Sequence, residues 1–355
     1  MNFKALLAGI LFLTFGYLFT ACDLLGIGSN DNDRDPVLPD TTSSQFTWRV
    51  DTVGFINTFL RDVAIIDSNN IWVVGEIPER DFGGANDYNA MRWDGEQWNL
   101  ERVIIESFSG NRRAANLYSV YPQTQKLWFG AFNGGYATLS QDIWFTEFMS
   151  IHGGSIFEIT GDQSEDVFIS GNNGILVRFN GSSFFRIPTS LSADITFMDY
   201  ANDTLKFGGV DTLLQYIDGV LQPEFEPDAS RAFRLSGGFT DVWHSGTHWW
   251  YSTGSGLYRF EPDSGYVQLS QRGISFLTGN SSQDVFTTDR VRFGYHWNGR
   301  TVTSFNLDAL VPEGIAFING IDMKQNLLVV TGWTEGLRGF ILTGKRTAIL
   351  NQMLS

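Results

Sequence analysis

A short unit recurs along this chain, and that repeat limits the possible fold more than any other feature. Its clearest copy is EDVFISGNNGILVRFNGSSFFR, residues 165–186. An apolar run at Asp166–Gly171 is followed by a turn at Asn172–Gly174, a second run at Ile175–Phe179, a turn at Asn180–Ser183 and a third run from Phe184. The first of these runs has counterparts at Ile71–Gly75, Leu127–Ala131, Leu205–Gly209, Trp249–Thr253, Val285–Thr288 and Leu327–Gly332, which makes seven anchors. Most are apolar on consecutive residues, the pattern of strands covered on both faces. From Trp72 to Leu328 is 256 residues, or six intervals of about 43, the period of four-stranded propeller blades.

The other strands fall into place around the anchors. First strands are predicted at Leu60–Ile66, Leu117–Tyr121, Ile156–Thr160, Ile195–Tyr200, Phe239–His244, Ile274–Gly279 and Phe317–Met323. Third strands follow, clearest at Ala90–Trp93, Leu176–Phe179, Leu213–Ile217, Leu257–Phe260, Phe293–Trp297 and Phe340–Thr343. Asp94-Gly95, Asn180-Gly181, Asp218-Gly219 and Asn298-Gly299 tolerate the positive φ of tight hairpin turns, so they read as punctuation and not as catalytic motifs. The expected fold is all-β: a seven-bladed β-propeller of four-stranded antiparallel blades over residues 45–346. The last blade shows three strands. Phe46–Val53 alternates like an exposed outer strand and is expected to supply the fourth, which closes the ring and removes its free edges. The alternative is Thr347–Leu354, within what otherwise reads as a C-terminal tail, residues 347–355.

The N-terminus reads as an address. Lys4 precedes a near-continuous apolar run, Ala5–Phe19, too short to span a bilayer comfortably and ending in small residues. Residues 1–21 therefore read as a signal peptide. Thr20-Ala21-Cys22 resembles the bacterial lipoprotein signal, in which cleavage precedes a Cys that is then lipidated. That resemblance implies a lipid anchor on Cys22 and a place in the cell envelope outside the inner membrane, without choosing between periplasmic and outer-surface placement; the outer membrane or cell surface is the expectation favoured here. Cys22 is the only cysteine, so no disulfide forms within the chain. Residues 22–44 read as the lipidated Cys and a disordered tether, rich in Asp, Asn, Ser, Gly and Pro. The segment Asp31–Asp35 begins like a calcium loop, but Pro36 stands where Gly must turn and Thr42 where a bidentate Glu is needed.

The formal net charge is −15, and loss of Met1–Ala21, with its one Lys and no acid, makes it −16. This argues against nucleic acid as a partner. The repeat pattern Asp-Val-Trp/Phe-x-x-Gly, turn, hydrophobic, Asp/Asn-Gly-x-x-Trp/Phe is best seen at Asp166–Phe184, Asn70–Trp98 and Asp284–Val302. It resembles secreted bacterial propeller repeats, including those of the photosystem II stability and assembly factor propellers. The resemblance implies assembly, scaffolding or ligand binding, through motifs that fix fold and not chemistry.

Function is expected on the face that carries the loops between second and third strands and between blades. Long loops there, Glu76–Asn89, Ile104–Asn116 and Glu224–Gly238, carry Arg80, Arg112, Arg113, Arg231 and Arg234. Arg suits planar anions and aromatic stacking, so these residues are a candidate rim for an acidic protein or glycan partner; ordinary solvated, paired loop charges are the simpler account. Asp62, Asp199, Asp241 and Asp322 lie in or beside first strands, which line the channel. They are candidates for acid–base work on a secreted polymer, or for hydrogen bonding to backbone amides. His244 and His248 flank a predicted hairpin tip without an identifiable third ligand, so no metal site is expected. No cofactor motif is present. The expectation is a monomer, lipid-anchored, acting as a non-catalytic binding or assembly module for an envelope protein or glycan; an enzyme and a purely structural envelope protein are the rivals.

Overall fold

Seven four-stranded antiparallel sheets follow one another around a ring. The computed structural model describes residues 43–80, 87–107, 109–149, 153–163, 165–209, 212–224 and 238–346. All seven anchors are second strands, from Asn70–Ile77 in blade one to Leu327–Thr334 in blade seven. The predicted first strands are also present, with ends shifted by at most two residues; blade four's begins at Phe197 and not Ile195. An extra hairpin, Ile104–Glu106 with Arg112–Ala114, stands between blades one and two.

The consecutive apolar runs have a simple cause. Side chains alternate across a strand, and each blade is packed on both faces. In the blade-one anchor, Trp72 and Val74 enter the apolar layer shared with blade two, while Ile71 and Val73 enter the layer shared with blade seven. The described residues form seven such layers, one at each junction between neighbouring blades. Lys206, the one charge inside an anchor, is also buried. It pairs with Glu224, and Tyr251 and Tyr266 donate hydroxyl hydrogen bonds of 2.9 and 2.7 Å to the same carboxylate. Glycine at the end of an anchor answers a close approach. A Cβ on Gly75 would lie 2.2 Å from the Phe59 carbonyl oxygen, and one on Gly332 would lie 1.9 Å from that of Phe317.

The ring is closed by the N-terminal strand. Phe46–Val53 pairs antiparallel with Gly339–Arg346, Phe46 opposite Arg346 and Val53 opposite Gly339. Thr347–Leu354, the alternative, lies outside the described residues. A buried polar cluster fixes the closing strand to blade six. Arg346 Nη1 and Nη2 donate to Asp284 at 2.9 and 2.5 Å, His296 Nε2 lies 2.8 Å from the same carboxylate, and Ser44 Oγ lies 2.8 Å from His296 Nδ1. Burial alone would push the Asp284 carboxyl up, but hydrogen bonds from His296, Arg346 and Asn280 hold it at about 2. The order Ser44, His296, Asp284 has the form of a hydrolase triad. Here His296 is fully buried, with Phe46 edge-on at 6.2 Å and Phe286 stacked at 6.5 Å, so no reactant reaches the ring.

Removing one member of a buried, hydrogen-bonded ion pair strands the other charge, at a cost of about 3–5 kcal/mol. Arg346→Ala is expected to destabilise the propeller by that order in urea unfolding, and Ser44→Ala by about 1 kcal/mol. A loss below about 1 kcal/mol for Arg346→Ala would show that the cluster does not hold the closure.

Candidate functional site

The first strand of each blade faces the central channel, where a cavity of about 500 Å³ opens. Four predicted carboxylates line it, and Glu158 and Asp194 are two more that the repeat pattern did not single out. The aspartates follow one pattern. One carboxylate oxygen accepts the N–H of the next residue in its own strand, and the other accepts an N–H from the first strand of the next blade. Asp62 binds Val63 and Val120, at 2.8 and 2.9 Å. Asp199 binds Tyr200 and His244, Asp241 binds Val242 and Leu277, and Asp322 binds Met323 and Ile65, all at 2.6–2.8 Å. These side chains bridge blades one to two, four to five, five to six and seven to one.

Burial dominates their titration. It pushes Asp62 and Asp199 up to about 7, Asp241 to about 8 and Asp322 to about 6, against the opposing pull of the two N–H donors on each. Glu158 is raised in the same way, by burial and then by the neighbouring charges of Asp62 and Asp241. Perturbed carboxyls of this kind suit acid–base catalysis in general. In these four, both oxygens are already occupied by backbone amides, so the geometry is that of an inter-blade brace.

Bulges at the start of the first strands shape the channel mouth. The register shifts between Leu60 and Asp62, Leu117 and Ser119, Ile156 and Glu158, and Ile318 and Gly320. A bulge leaves one residue unpaired and re-aims its side chain. The bulged residues are Arg61, Tyr118, Phe157 and Asn319, and all four line the cavity. The Arg61 guanidinium lies 5.1 Å from the Tyr118 ring centre, 5.4 Å from Trp333 and 5.9 Å from Phe59. Tyr118 contacts Phe132 and Phe157, and Trp333 contacts Phe59 and Phe317. These residues stand at first-strand starts or second-strand ends, so they share the loop face. Phe132 is 55% exposed and Phe317 42%, so an aromatic surface with a cation at its centre faces solvent across blades seven, one, two and three.

Of the candidate rim arginines, three are among the described residues, and none of these three is in the Arg61 cluster. Arg112 and Arg113 lie in the extra hairpin, opposite Glu106 and Ile105. Arg112 reaches Thr146 on the outer strand of blade two, at 3.4 Å, and lines a small hollow there with Trp144 and Phe145. Arg80 is exposed beyond the second strand of blade one. Arg231 and Arg234 lie outside the described residues. The histidine hairpin forms as predicted: Gly246 N–H donates to His244 Nδ1 at 3.1 Å, His248 Nδ1 lies 2.8 Å from Thr247 Oγ1, and the far nitrogens reach Asn202 at 3.4 Å and Glu261 at 3.5 Å. The signal for the missed residues was the repeat itself. Aligned on their first strands, Leu60-Arg61-Asp62, Leu117-Tyr118-Ser119 and Ile156-Phe157-Glu158 put Arg61 with the two aromatics, and Glu158 with Asp62.

No protein-family profile matches the chain, and no curated protein does. Solved structures do resemble it. "YCF48 bound to D1 peptide" superposes with a TM-score of 0.63 at 13% identity, covering 87% of this chain and 98% of that one. The WD40 propeller domain of Doa1 gives 0.62 at 12% identity, covering 85% and 98%. The extracellular domain of the putative one-component system BT4673 from B. thetaiotaomicron gives 0.60 at 14% identity, covering 83% of this chain and 40% of that one. At these identities the likeness is one of fold.

The raised carboxyls make stability depend on pH with a definite sign. Their ordinary value is 3.8, and in the fold they titrate at about 6 to 8. Between those limits the folded state binds more protons than the unfolded chain, so stability falls as pH rises from about 4 to about 8. Asp284, held at about 2, acts oppositely and withdraws stability below about pH 4. The thermal midpoint is therefore expected to be highest near pH 4–5 and lower at pH 8.5. Asp241→Asn loses one of its two amide acceptors, which costs about 1–3 kcal/mol at pH 5, and flattens the slope. A midpoint that rises from pH 5 to pH 8 would contradict this account.

Proposed function

We propose that this protein is a lipid-anchored, extracytoplasmic binding or assembly module that holds a polypeptide partner on its loop face. The observation that carries the reading is the exposed aromatic surface around Arg61 at the channel mouth. Aromatic residues and Arg dominate protein-binding hot spots, because they offer large contact area with few rotamers to fix. A rigid ring beneath holds the cluster in place before a partner arrives. The fold is compatible: one structural neighbour was solved with a bound peptide. The enzyme reading has less support, because the channel aspartates that would serve it are engaged by backbone amides.

In this reading Cys22 carries the anchor, the tether carries the propeller clear of the bilayer, and the protein acts as a monomer in the cell envelope. Several acyl chains on one residue would make attachment firm, at about 0.8 kcal/mol per buried methylene. Cys22→Ser is expected to move the protein from the membrane fraction to the soluble fraction; unchanged attachment would remove the anchor from the proposal.

The partner surface is tested by photo-cross-linking in native membranes. A photoreactive phenylalanine at position 317 is expected to capture a discrete protein adduct, while the same probe at position 185, on the outer strand of blade three, is not. Arg61→Ala with Trp333→Ala is expected to weaken capture at least about tenfold, the loss typical of hot-spot residues. Equal capture from both positions, or capture indifferent to the double variant, would overturn the assignment of this face.

A further inference from the structure

On the opposite face, a cleft of about 570 Å³ opens at the seam where blade seven meets blade one. Its volume lies in the range of about 300–1,000 Å³ typical of small-ligand sites. Its floor is apolar: Ile65, Ile71 and Leu327 belong to the layer shared by the two blades. One wall is a pair of half-buried indoles. Trp93 and Trp98 lie 5.5 Å apart, tilted by 53°. Neither is loose. Trp98 Nε1 donates to Asp51 at 3.2 Å, and the Arg49 guanidinium covers the Trp93 ring at 4.7 Å while pairing with Asp51 at 2.9 Å. The other wall comes from the Lys324–Leu327 hairpin and from Thr343 and Lys345 of the closing sheet. It offers the side-chain amides of Gln325 and Asn326 and the ammonium groups of Lys324 and Lys345, with Lys324 steadied by a 2.9 Å hydrogen bond to the Ile66 carbonyl.

The charge of this cleft is the reverse of the charge of the chain. The whole sequence has 24 Lys and Arg against 39 Asp and Glu. The cleft lining has three cations, Arg49, Lys324 and Lys345, of which Arg49 is paired with Asp51 behind it, against one lining acid, Asp67, whose Oδ1 is held at 2.8 Å by the N–H of Asn69 in its own turn. Positive groups gathered in a cleft with low-dielectric walls focus field on it and attract anions against the net charge. Flat indole faces, neutral amide and hydroxyl groups and separated cations together match one chemistry. Indoles pack on the C–H faces of a pyranose, amides exchange hydrogen bonds with ring hydroxyls, and Lys and Arg pair with carboxylate or sulfate groups. A phosphate-centred ligand is matched less well, because phosphate sites are typically built from convergent backbone N–H groups and these cations are spread along long side chains.

We propose that this seam cleft binds a short acidic saccharide, a uronic-acid oligomer or a chemically equivalent fragment. The site is independent of the loop-face surface. It exists only because the ring closes, since Arg49, Thr343 and Lys345 come from the paired strands Phe46–Val53 and Gly339–Arg346, and the two indoles come from blade one.

The test is isothermal titration calorimetry on the full-length protein in detergent micelles, with tri-galacturonate as probe. Saturable binding is expected, and neutral maltotriose is expected to bind at least tenfold more weakly. Lys324→Gln with Lys345→Gln changes two exposed side chains and is expected to weaken tri-galacturonate at least tenfold without lowering the thermal midpoint. Arg49→Gln, a separate variant, is expected to weaken it as well. Arg61→Ala, on the other face, is expected to leave it unchanged, so failure of the loop-face reading and failure of this one are told apart. Absence of saturable heat, equal affinity in the lysine variant, or tighter binding of inorganic phosphate or uridine monophosphate would overturn the proposal.

Discussion

Every apolar layer of this propeller lies between two blades, so closure of the ring is the constraint on which the rest depends. A single blade buries neither face by itself. Six of the seven layers join blades adjacent in sequence, but the layer holding Leu60, Val73, Val329 and Ile341 joins the beginning of the chain to its end. Phe46–Val53 secures that junction by pairing with Gly339–Arg346. The buried Asp284, His296 and Arg346 cluster then ties the closing sheet to blade six, and its charges are compensated because each faces a partner within hydrogen-bond distance.

The channel shows a compromise at the ring's inner edge. First strands of neighbouring blades are too splayed to pair as a sheet, yet they carry backbone N–H groups that need acceptors. Aspartates on the strands supply them across the gap, from Asp62 to Val120 and from Asp322 to Ile65. The cost is several carboxyls buried at the ring's inner edge, and that burial pushes their titration upward. The same region is bulged, and the bulges turn Arg61, Tyr118 and Phe157 toward the mouth. Bracing the ring and shaping its candidate binding surface thus fall on adjacent residues of one strand.

The two proposed sites rest on different parts of this architecture. The loop-face surface uses residues at the inner strands of four blades and follows from bulges. The seam cleft uses the outer and hairpin edges of two blades and follows from closure. A propeller can carry both because its core is distributed around the ring, leaving each face and each groove free to vary.

The strand repeat, the blade count and the closing role of Phe46–Val53 were legible in the sequence. They are written in local periodicity: two-sided burial makes consecutive apolar runs, and tight turns need Gly, Asn or Asp. That Asp62, Asp199, Asp241 and Asp322 fall in or beside first strands was legible for the same reason, but which way each side chain points depends on a one-residue register that the repeat does not fix. Their second hydrogen bond was not legible, since its donor sits in another blade, 36 to 257 residues away. Loop composition drew attention to Arg80, Arg112, Arg113, Arg231 and Arg234, but it does not say which residues face the channel. Arg61 hides in a strand and acquires its place through a bulge that shifts register by one residue, which reverses the side a side chain faces. The seam cleft was beyond reach in the same sense: Arg49 and Lys345 are nearly 300 residues apart in sequence, and only the tertiary pairing of the chain's two ends brings them beside Trp93.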